Sequence, residues 1–204
     1  MSIFLHQNDL PDNVSLGKSI AIDTETKGLN LNRDRLCLIQ LSDGNGDAHL
    51  VQIAAEKKQK SPNIEALLKD ETVEKLFHFA RFDLAVLMRD ISPVLGPIYC
   101  TKIASKLART YSDRHGLKEL CSELLSIELS KQQQSTDWGS EVLSEAQKNY
   151  AASDVLFLHR LKVKLSEQLR REGRLEIAHR CFDFLAHRVA LDLAGFEDLD
   201  IFHH

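Results

Sequence analysis

Two acidic residues that follow a short apolar run give the first indication of chemistry in this chain. Ser19–Ile22 is rich in β-forming residues and leads directly into Asp23-Thr24-Glu25. In an extended strand, residues i and i+2 project from the same face, so the two carboxylates would lie side by side at a strand end. Like charges that close resist ionisation unless a cation neutralises them, and hard carboxylate oxygens suit Mg²⁺ or Mn²⁺. Taken alone, the pair is weak evidence in a chain with 30 acidic residues.

Two further groups of residues could complete such a site. Asp83 follows the apolar run Val73–Phe79 near a predicted helix start, where a helix dipole would also favour it as a surface residue. Tyr150 and Asp154 are i and i+4 on a predicted helix and therefore share one face. If that helix packs on the sheet, both side chains could face the first pair. A structural hydrogen bond or an exposed turn would explain Tyr150 and Asp154 as well.

The order and flanks of these groups resemble a known family of nucleases. Asp23-x-Glu25, then Asp83, then Tyr150-x-x-x-Asp154 is similar to the DEDD 3′–5′ exonucleases in their tyrosine variant. The resemblance extends over roughly residues 17–165 and is strongest to the ribonuclease D branch. The matching segments are Asp23-Thr-Glu-Thr-Lys-Gly-Leu29, His78-Phe-Ala-Arg-Phe-Asp83-Leu84, Cys100 to Tyr111, Lys131 to Trp138, and Tyr150-Ala-Ala-Ser-Asp154-Val155.

The resemblance implies both a fold and a reaction. The implied fold is α/β and ribonuclease H-like (DnaQ-type), a mixed sheet flanked by helices with a helical C-terminal part, in a single domain of residues 1–204. The implied reaction is phosphodiester hydrolysis with two divalent ions, Mg²⁺ or Mn²⁺. Tyr150 would orient the attacking water, its phenol protonated because the ordinary pKa of tyrosine is about 10. The implied metal ligands, which with Tyr150 form the catalytic set, are Asp23, Glu25, Asp83 and Asp154.

Contacts to the substrate are a weaker expectation. Leu29 matches the family position where an apolar side chain wedges against the terminal base, although it could equally be a core leucine. His78 could contact a phosphate or a sugar or be structural, and Trp138 could stack on a base or pack in the core. A basic series could follow a nucleic acid backbone or form a solvated helix face. The predicted substrate-binding residues are Thr24, Thr26, Leu29, His78, Gln134 and Trp138; the basic series is Lys102, Lys106, Arg109, Arg114 and Lys118.

The resemblance also indicates a substrate class and an assembly. Ribonuclease D carries helical accessory domains after its catalytic domain, and this chain has no room for them, which makes it more similar to the short-oligonucleotide nano-ribonuclease C group. We therefore expect an exoribonuclease that degrades short RNA, including dinucleotides, as a homo-oligomer, in line with the octameric rings of that group. A ribonuclease D-like processor of structured RNA ends is one alternative. A catalytically inactive nucleic-acid-binding module is another, and DNA as the substrate stays open.

Composition excludes several other classes of protein. The 204 residues are 43% hydrophobic and 27% charged, which is ordinary for a globular chain and excludes disorder and collagen-like structure. No run approaches the roughly 18 apolar residues of a membrane-spanning helix, and the first residues do not resemble a signal peptide. The four cysteines are far apart, which disfavours zinc or disulfide frameworks, so we expect a cytoplasmic protein. Without the four proposed ligands, 26 basic residues face 26 acidic ones, so those ligands account for the net charge of −4.

The elements that must position these residues are predicted to be strands first and helices later. Three runs separated by turn signals predict an antiparallel meander, and a fourth apolar run predicts another strand. A C-terminal helix carries two apolar stripes, of which the second needs a neighbouring subunit or a deep position in the chain's own core. The expected strands are Ser19–Ile22, Leu36–Leu41, Ala48–Ile53 and Val73–Phe79; the expected helices are Pro62–Asp70, Phe82–Arg89, Thr101–Thr110, Leu117–Leu125, a long one from Ser144 with a capping box to Gln147, and Leu175–Leu193.

Overall fold

One mixed sheet organises the molecule. The computed structural model describes residues 2–55, 60–130 and 136–203, and in these the strands follow the order β1-β4-β3-β2-β5-β6 across the sheet. The expected meander is confirmed, because β2, β3 and β4 pair antiparallel, whereas the β1–β4, β2–β5 and β5–β6 pairs are parallel. The strands are β1 (Ile3–Gln7), β2 (Ser19–Thr26), β3 (Leu36–Ser42), β4 (Ala48–Gln52), β5 (Glu74–Phe77) and β6 (Ile98–Cys100).

Helices cover the sheet and complete the core. Apolar side chains from the strands and helices form one large buried cluster, and a smaller cluster lies under α5. The expected α/β fold, a mixed sheet flanked by helices, is therefore confirmed. The helices are α1 (Pro62–Lys69), α2 (Ala80–Asp90), α3 (Thr101–Ala108), α4 (Leu117–Leu120), α5 (Glu145–Leu156), α6 (Leu158–Arg171) and α7 (Leu175–Leu191), with π-type turns at Cys121–Leu125 and Asp192–Phe196.

Two strands were not expected from the sequence. β1 lies at the sheet edge with both faces partly exposed, so its side chains do not alternate between apolar and polar. β6 has only three residues, too few to give a periodic pattern. The long helix expected from Ser144 is also divided, because Phe157 leaves helical geometry between α5 and α6. Its capping box is confirmed, since Ser144 Oγ accepts from the Gln147 amide at 3.3 Å and Gln147 Oε1 accepts from the Ser144 amide at 3.0 Å.

The two stripes of α7 have different environments. Ala178, Phe182 and Val189 of the first stripe are buried in the core. In the second stripe, Ile177 and Phe184 are 57% and 38% exposed. The alternative in which both stripes lie deep in the chain's own core is therefore wrong. No helix in the described ranges has both the length and the apolar content needed to cross a bilayer.

A buried lysine fixes the start of β5 and provides a stability prediction. Lys75 is fully buried, and its ammonium donates to the carbonyl oxygens of Asp70 and Leu95, each at 2.6 Å. Replacing Lys75 with methionine leaves both acceptors without this donor, and we expect a loss of about 2 kcal/mol in the free energy of unfolding, measured by urea denaturation. Lys69→Met, which removes a partly exposed ion pair with Glu65, should cost less than about 0.5 kcal/mol. Equal stabilities of the two variants would refute this role.

Candidate active site

The end of β2 places the first two carboxylates on one face of the sheet, as the alternation of strand side chains requires. Asp23 and Glu25 are both partly buried, and Asp23 lies opposite Gln40 in the β2–β3 register. The Gln40 amide, fully buried, donates to Asp23 Oδ2 at 3.3 Å. Gln40 was not expected in the site, although a lone amide within the apolar run Leu36–Leu41 was a usable signal in the sequence.

Helix α5 brings a third carboxylate to the same point. Ala151 and Ala152 are fully buried where α5 packs against the sheet, and their small side chains let the helix approach closely. The turn that carries them directs Asp154 toward β2, and one ligand oxygen each from Asp23, Glu25 and Asp154 lies within 4.8 Å of the others. This distance is suitable for a shared divalent cation.

Asp83 lies beside this group but is held separately. It belongs to the first turn of α2 and is 4% exposed. Its Oδ1 accepts from the Thr24 amide at 3.0 Å and from the Thr24 hydroxyl at 2.6 Å. Thr24 therefore orients Asp83, and its hydroxyl proton is not free for a substrate. The Thr26 hydroxyl is engaged in the same way, since it donates to the Gly28 carbonyl at 2.5 Å in the turn that leads to Leu29.

The four carboxylates and the two threonines open into one cavity of about 600 Å³. Gln134 lies outside the described residues. Leu29 is 83% exposed at the cavity wall, so the alternative of a core leucine is wrong. The predicted residues that line the cavity are Asp23, Thr24, Glu25, Thr26, Leu29, His78, Asp83, Trp138, Tyr150 and Asp154.

Trp138 supports the site rather than presenting a free face to it. Its side chain is only 3% exposed and packs in the smaller core cluster with Leu38 and Leu50. Its ring centroid lies 6.0 Å from that of Tyr150. This burial favours the packing interpretation over stacking on a base, and it gives Trp138 a role in positioning the phenol.

The clustered carboxylates resist ionisation. Burial raises the pKa of Asp23 to about 7. Burial, with the charges of Asp23, Asp154 and Asp83, raises the pKa of Glu25 to about 10. The pKa values of Asp83 and Asp154 are also raised, by burial first and then by Asp23. Repulsion between these close carboxylates keeps them protonated in the absence of metal. A divalent cation stabilises such a site because it displaces the protons and neutralises the charges.

These pKa shifts predict a pH-dependent stabilisation by metal. Between the unfolded pKa near 4 and a folded pKa of about 7, the folded chain retains a proton on Asp23 that the unfolded chain has lost, so this group lowers stability as the pH rises. Added Mn²⁺ removes that penalty. We expect Mn²⁺ to raise Tm by about 5 °C or more at pH about 8 and by less than about 2 °C at pH about 5, measured by scanning fluorimetry against EDTA. A Mn²⁺-induced increase in Tm that is larger at pH about 5 than at pH about 8 would contradict this prediction.

His78 is neutral and has a defined tautomer. Burial, with the nearby charge of Lys102, lowers its pKa to about 3. The Thr101 hydroxyl donates to the Phe77 carbonyl at 3.1 Å, so its oxygen must accept from His78 Nδ1 at 2.9 Å. This network assigns the proton to Nδ1 and leaves Nε2 as an acceptor. An acceptor at Nε2 can bind a sugar hydroxyl, which donates, but not a phosphate oxygen, which also accepts. Of the two expected substrate contacts of His78, the contact with a sugar is therefore favoured over the contact with a phosphate.

The basic series does not act as one surface. Lys102 and Lys118 line the cavity. Arg109, by contrast, is fully buried, forms an ion pair with Glu123 and donates to the Arg114 carbonyl at 2.7 Å. Both alternatives given for the basic series are therefore wrong for Arg109. It neither follows a nucleic acid backbone nor lies on a solvated helix face, because its buried guanidinium fixes the loop after α3.

Phe79 is the second site residue that the sequence analysis missed. It is 49% exposed at the cavity and adopts a left-handed backbone conformation with φ of 70°. The Lys102 ammonium lies 4.1 Å from its ring centroid. Backbone strain of this kind in a non-glycine residue is concentrated at functional sites. No feature of the sequence predicts the left-handed conformation of Phe79.

Comparison with known proteins defines the class to which this site belongs. Residues 7–170 match a family model described as a 3′-5′ exonuclease. The chain therefore belongs to the 3′–5′ exonuclease family. Ribonuclease D of Acidiphilium cryptum is 31% identical over 167 residues, and that of Gluconacetobacter diazotrophicus is 34% identical over 157 residues. These matches cover 82% and 77% of this chain but only 42% and 39% of the relatives, so the chain spans about two fifths of their length.

Solved structures place the chain more narrowly within that family. NrnC of Brucella melitensis, solved with bound pGG, is 56% identical with a TM-score of 0.96, and the match covers 100% of this chain and 99% of that one. NrnC of the same organism solved with bound Mg²⁺ is 55% identical with a TM-score of 0.94, covering 100% of both chains. Escherichia coli RNase D is 27% identical with a TM-score of 0.74, covering 84% of this chain and 44% of that one. Within the family, the chain lies in the ribonuclease D branch together with NrnC.

Proposed function

We propose that this chain is a metal-dependent 3′–5′ exoribonuclease that hydrolyses short RNA, including dinucleotides, to mononucleotides. The observation that carries the proposal is the convergence of Asp23, Glu25 and Asp154 within 4.8 Å in a cavity walled by the exposed Leu29. The membership of the family supports the reaction type. The bound pGG in the Brucella NrnC structure supports the substrate length.

The carboxylates fit a pair of hard divalent cations. The ligands would be Asp23, Glu25 and Asp154, with Asp83 at the side where Thr24 holds it. When bound, two such ions stabilise the charge that develops on the attacking and leaving oxygens of an in-line displacement. Mg²⁺ and Mn²⁺ both suit an all-oxygen donor set, and Mg²⁺ is the ion bound in the Brucella NrnC structure.

The remaining residues position water and substrate. Burial, together with the charges of Asp154 and Glu25, raises the pKa of Tyr150, so its phenol stays protonated and orients the attacking water without removing its proton. Gln40 holds Asp23 in place through its amide. Leu29 presents an exposed apolar side chain against which the terminal base can lie.

Assembly as a homo-oligomer belongs to the same proposal. The second stripe of α7 and the residues after it expose several large apolar side chains that a copy of the chain could cover. These residues are Ile177, Phe184, Leu193, Phe196, Leu199, Ile201 and Phe202. An octamer is the stoichiometry implied by the resemblance to the nano-ribonuclease C group.

A length series with 5′-labelled RNA tests the proposal. Substrates from a dinucleotide to about thirty nucleotides would be followed over time with Mn²⁺ or EDTA. In the presence of Mn²⁺ we expect the dinucleotide to be consumed faster than the longer substrates. In EDTA we expect no hydrolysis of any substrate. Equal trimming of long structured RNA would instead favour a ribonuclease D-like processor, and inertness on every substrate would favour a catalytically inactive binding module.

The acceptor at His78 Nε2 predicts a preference for ribose. A ribose hydroxyl can donate to this nitrogen, and a deoxyribose lacks one such donor. We expect His78→Phe to lower the ratio of kcat/KM for a ribodinucleotide over its deoxy counterpart by about three- to tenfold, the range of one neutral hydrogen bond. His179→Phe on α7, outside the cavity lining, should leave the ratio unchanged. An unchanged ratio in His78→Phe would refute the role of His78.

A further inference from the structure

The first turn of α2 carries a proposed metal ligand but has little local support. Its N-cap residue is Phe79, whose side chain has no acceptor for the first amides of the helix and whose backbone is left-handed. Asp83 lies in this turn and is not among the three acids whose oxygens lie within 4.8 Å of one another. The distance of Asp83 from those acids is therefore set by the position of the turn as a whole.

Two side chains of this turn tie it to other parts of the chain. The Asp83 carboxylate accepts from the amide and the hydroxyl of Thr24, which links the turn to β2. Two residues earlier, Arg81 donates to the Asp192 carboxylate from Nε at 2.6 Å and from Nη2 at 2.8 Å, which links the turn to the segment after α7. Arg81 does not line the cavity that holds the carboxylates. It can therefore influence the site only through α2.

The partner of Arg81 is itself firmly held. The Asp192 side chain is only 3% exposed, and Arg188 Nη2 of α7 lies 2.7 Å from its Oδ1. The two guanidiniums also donate to nearby carbonyl oxygens, Arg81 to that of Glu197 and Arg188 to that of Phe196, each at 2.8 Å. Bidentate, charge-assisted hydrogen bonds to a buried carboxylate define geometry closely. Asp192 is therefore a fixed anchor for the start of α2.

A divalent metal site is sensitive to such an anchor. Mg²⁺ accepts only near-ideal octahedral geometry with short bonds to oxygen, so a small displacement of one ligand weakens binding. Groups that orient metal ligands without touching the metal commonly change its affinity by about ten- to a hundredfold. The position of Asp83 is the least constrained by the other carboxylates, since strand and helix geometry bring Asp23, Glu25 and Asp154 together.

We propose that Arg81 and Asp192 are positioning residues for Asp83. Their ion pair holds the first turn of α2 at the separation from β2 and α5 at which all four carboxylates can bind divalent cations. The proposal rests on the proposed function, since it concerns the same metal site. It also gives a role in the reaction to a residue beyond 7–170, the part of the chain that matches the family model.

Arg81→Met tests this role by cutting the link to α2 alone. Methionine keeps the aliphatic part of the side chain, and Arg188 continues to pair with Asp192, so no buried carboxylate is left without a cation. The measurement is calorimetric titration of the whole protein with Mn²⁺, without RNA. We expect the dissociation constant of at least one bound ion to rise about tenfold, the lower end of the range for groups that orient ligands.

Two further variants separate positioning from general effects. Arg180→Met on α7 removes an exposed ion pair with Glu176 and should leave the Mn²⁺ affinity within about twofold of wild type. Arg81→Lys keeps the charge but loses the bidentate geometry, so we expect an increase in the dissociation constant of about threefold. This variant decides the question if Arg81→Met does not fold. A purely structural role for Arg81 would lower Tm in EDTA and leave the affinity for Mn²⁺ intact.

The possible failures are distinguishable. A wild-type protein that binds no Mn²⁺ would contradict the proposed function and this inference together. A wild type that binds Mn²⁺ and hydrolyses dinucleotides, with folded Arg81 variants of unchanged Mn²⁺ affinity, would overturn the positioning role alone. Light scattering provides the last control. If the affinity falls only in variants that have lost the wild-type molecular mass, the effect belongs to assembly and the positioning role is again overturned.

Discussion

Asp154→Asn is expected to reduce RNA hydrolysis by roughly a thousandfold or more, with the fold retained. Asparagine keeps the volume of the side chain but removes the negative charge that completes the group with Asp23 and Glu25. Loss of several kcal/mol of transition-state charge stabilisation corresponds to this factor, since each 1.4 kcal/mol changes a rate about tenfold. The measurement is the initial rate with a 5′-labelled dinucleotide in Mn²⁺.

The same substitution should stabilise the protein without metal. Asp154 is one of the charges that raise the pKa of Glu25, so removing it relieves repulsion within the cluster. In EDTA at pH about 8, we expect Tm of Asp154→Asn to exceed that of the wild type. Glu167→Gln, an exposed acid of α6, should change neither rate nor Tm. Hydrolysis at near wild-type rates by Asp154→Asn would remove the basis of the proposed active site.

Tyr150→Phe is expected to slow hydrolysis by about a hundredfold, which corresponds to about 2.7 kcal/mol of transition-state stabilisation lost with the hydroxyl that orients the water. The phenyl ring retains the contact with Trp138, so packing should survive. Because only the hydroxyl that orients water is lost, the affinity for Mn²⁺ should stay within about twofold of wild type. The rate and the affinity would be measured by single-turnover hydrolysis and by calorimetry.

A matched substitution separates the site from general effects. Tyr111 is 74% exposed and lies outside the cavity lining, so Tyr111→Phe should behave as the wild type. A Tyr150→Phe variant with an unchanged rate, or with Mn²⁺ affinity lost together with the rate, would contradict the role of Tyr150.

The carboxylates were predictable because strand and helix periodicity fix their faces. Asp23 and Glu25 share a face through the two-residue repeat of β2, and Tyr150 and Asp154 are one turn apart on α5. What periodicity does not give is the approach of α5 to β2, which depends on the small, buried Ala151 and on the strand order of the sheet.

Other parts of the site lay beyond the sequence patterns. The residues of the basic series are similar in type and closely spaced in the sequence. In the structure, however, Arg109 is buried in an ion pair with Glu123, whereas Lys102 lines the cavity. The difference is set by the fold of the loop after α3 and not by residue type. The left-handed backbone of Phe79 is likewise a tertiary property.

The turn Asp192–Phe196 illustrates the same limit over a longer range. The Asp192 carboxylate accepts from the guanidinium of Arg81, in the first turn of α2, at 2.6 Å and 2.8 Å. Arginine and aspartate separated by 111 positions give no pattern that identifies them as partners. The C-terminal segment was expected only to contact the core or another subunit, and its place beside α2 emerges from packing.

Direct measurement of Mn²⁺ binding tests the central claim, that acids from β2, α2 and α5 form one site for divalent cations. Electron paramagnetic resonance can count the ions bound by the wild type and by Asp154→Asn at pH about 8. We expect two ions per wild-type chain and the loss of at least one in the variant. Equal binding of Mn²⁺ by both proteins, or no binding by the wild type, would contradict the account.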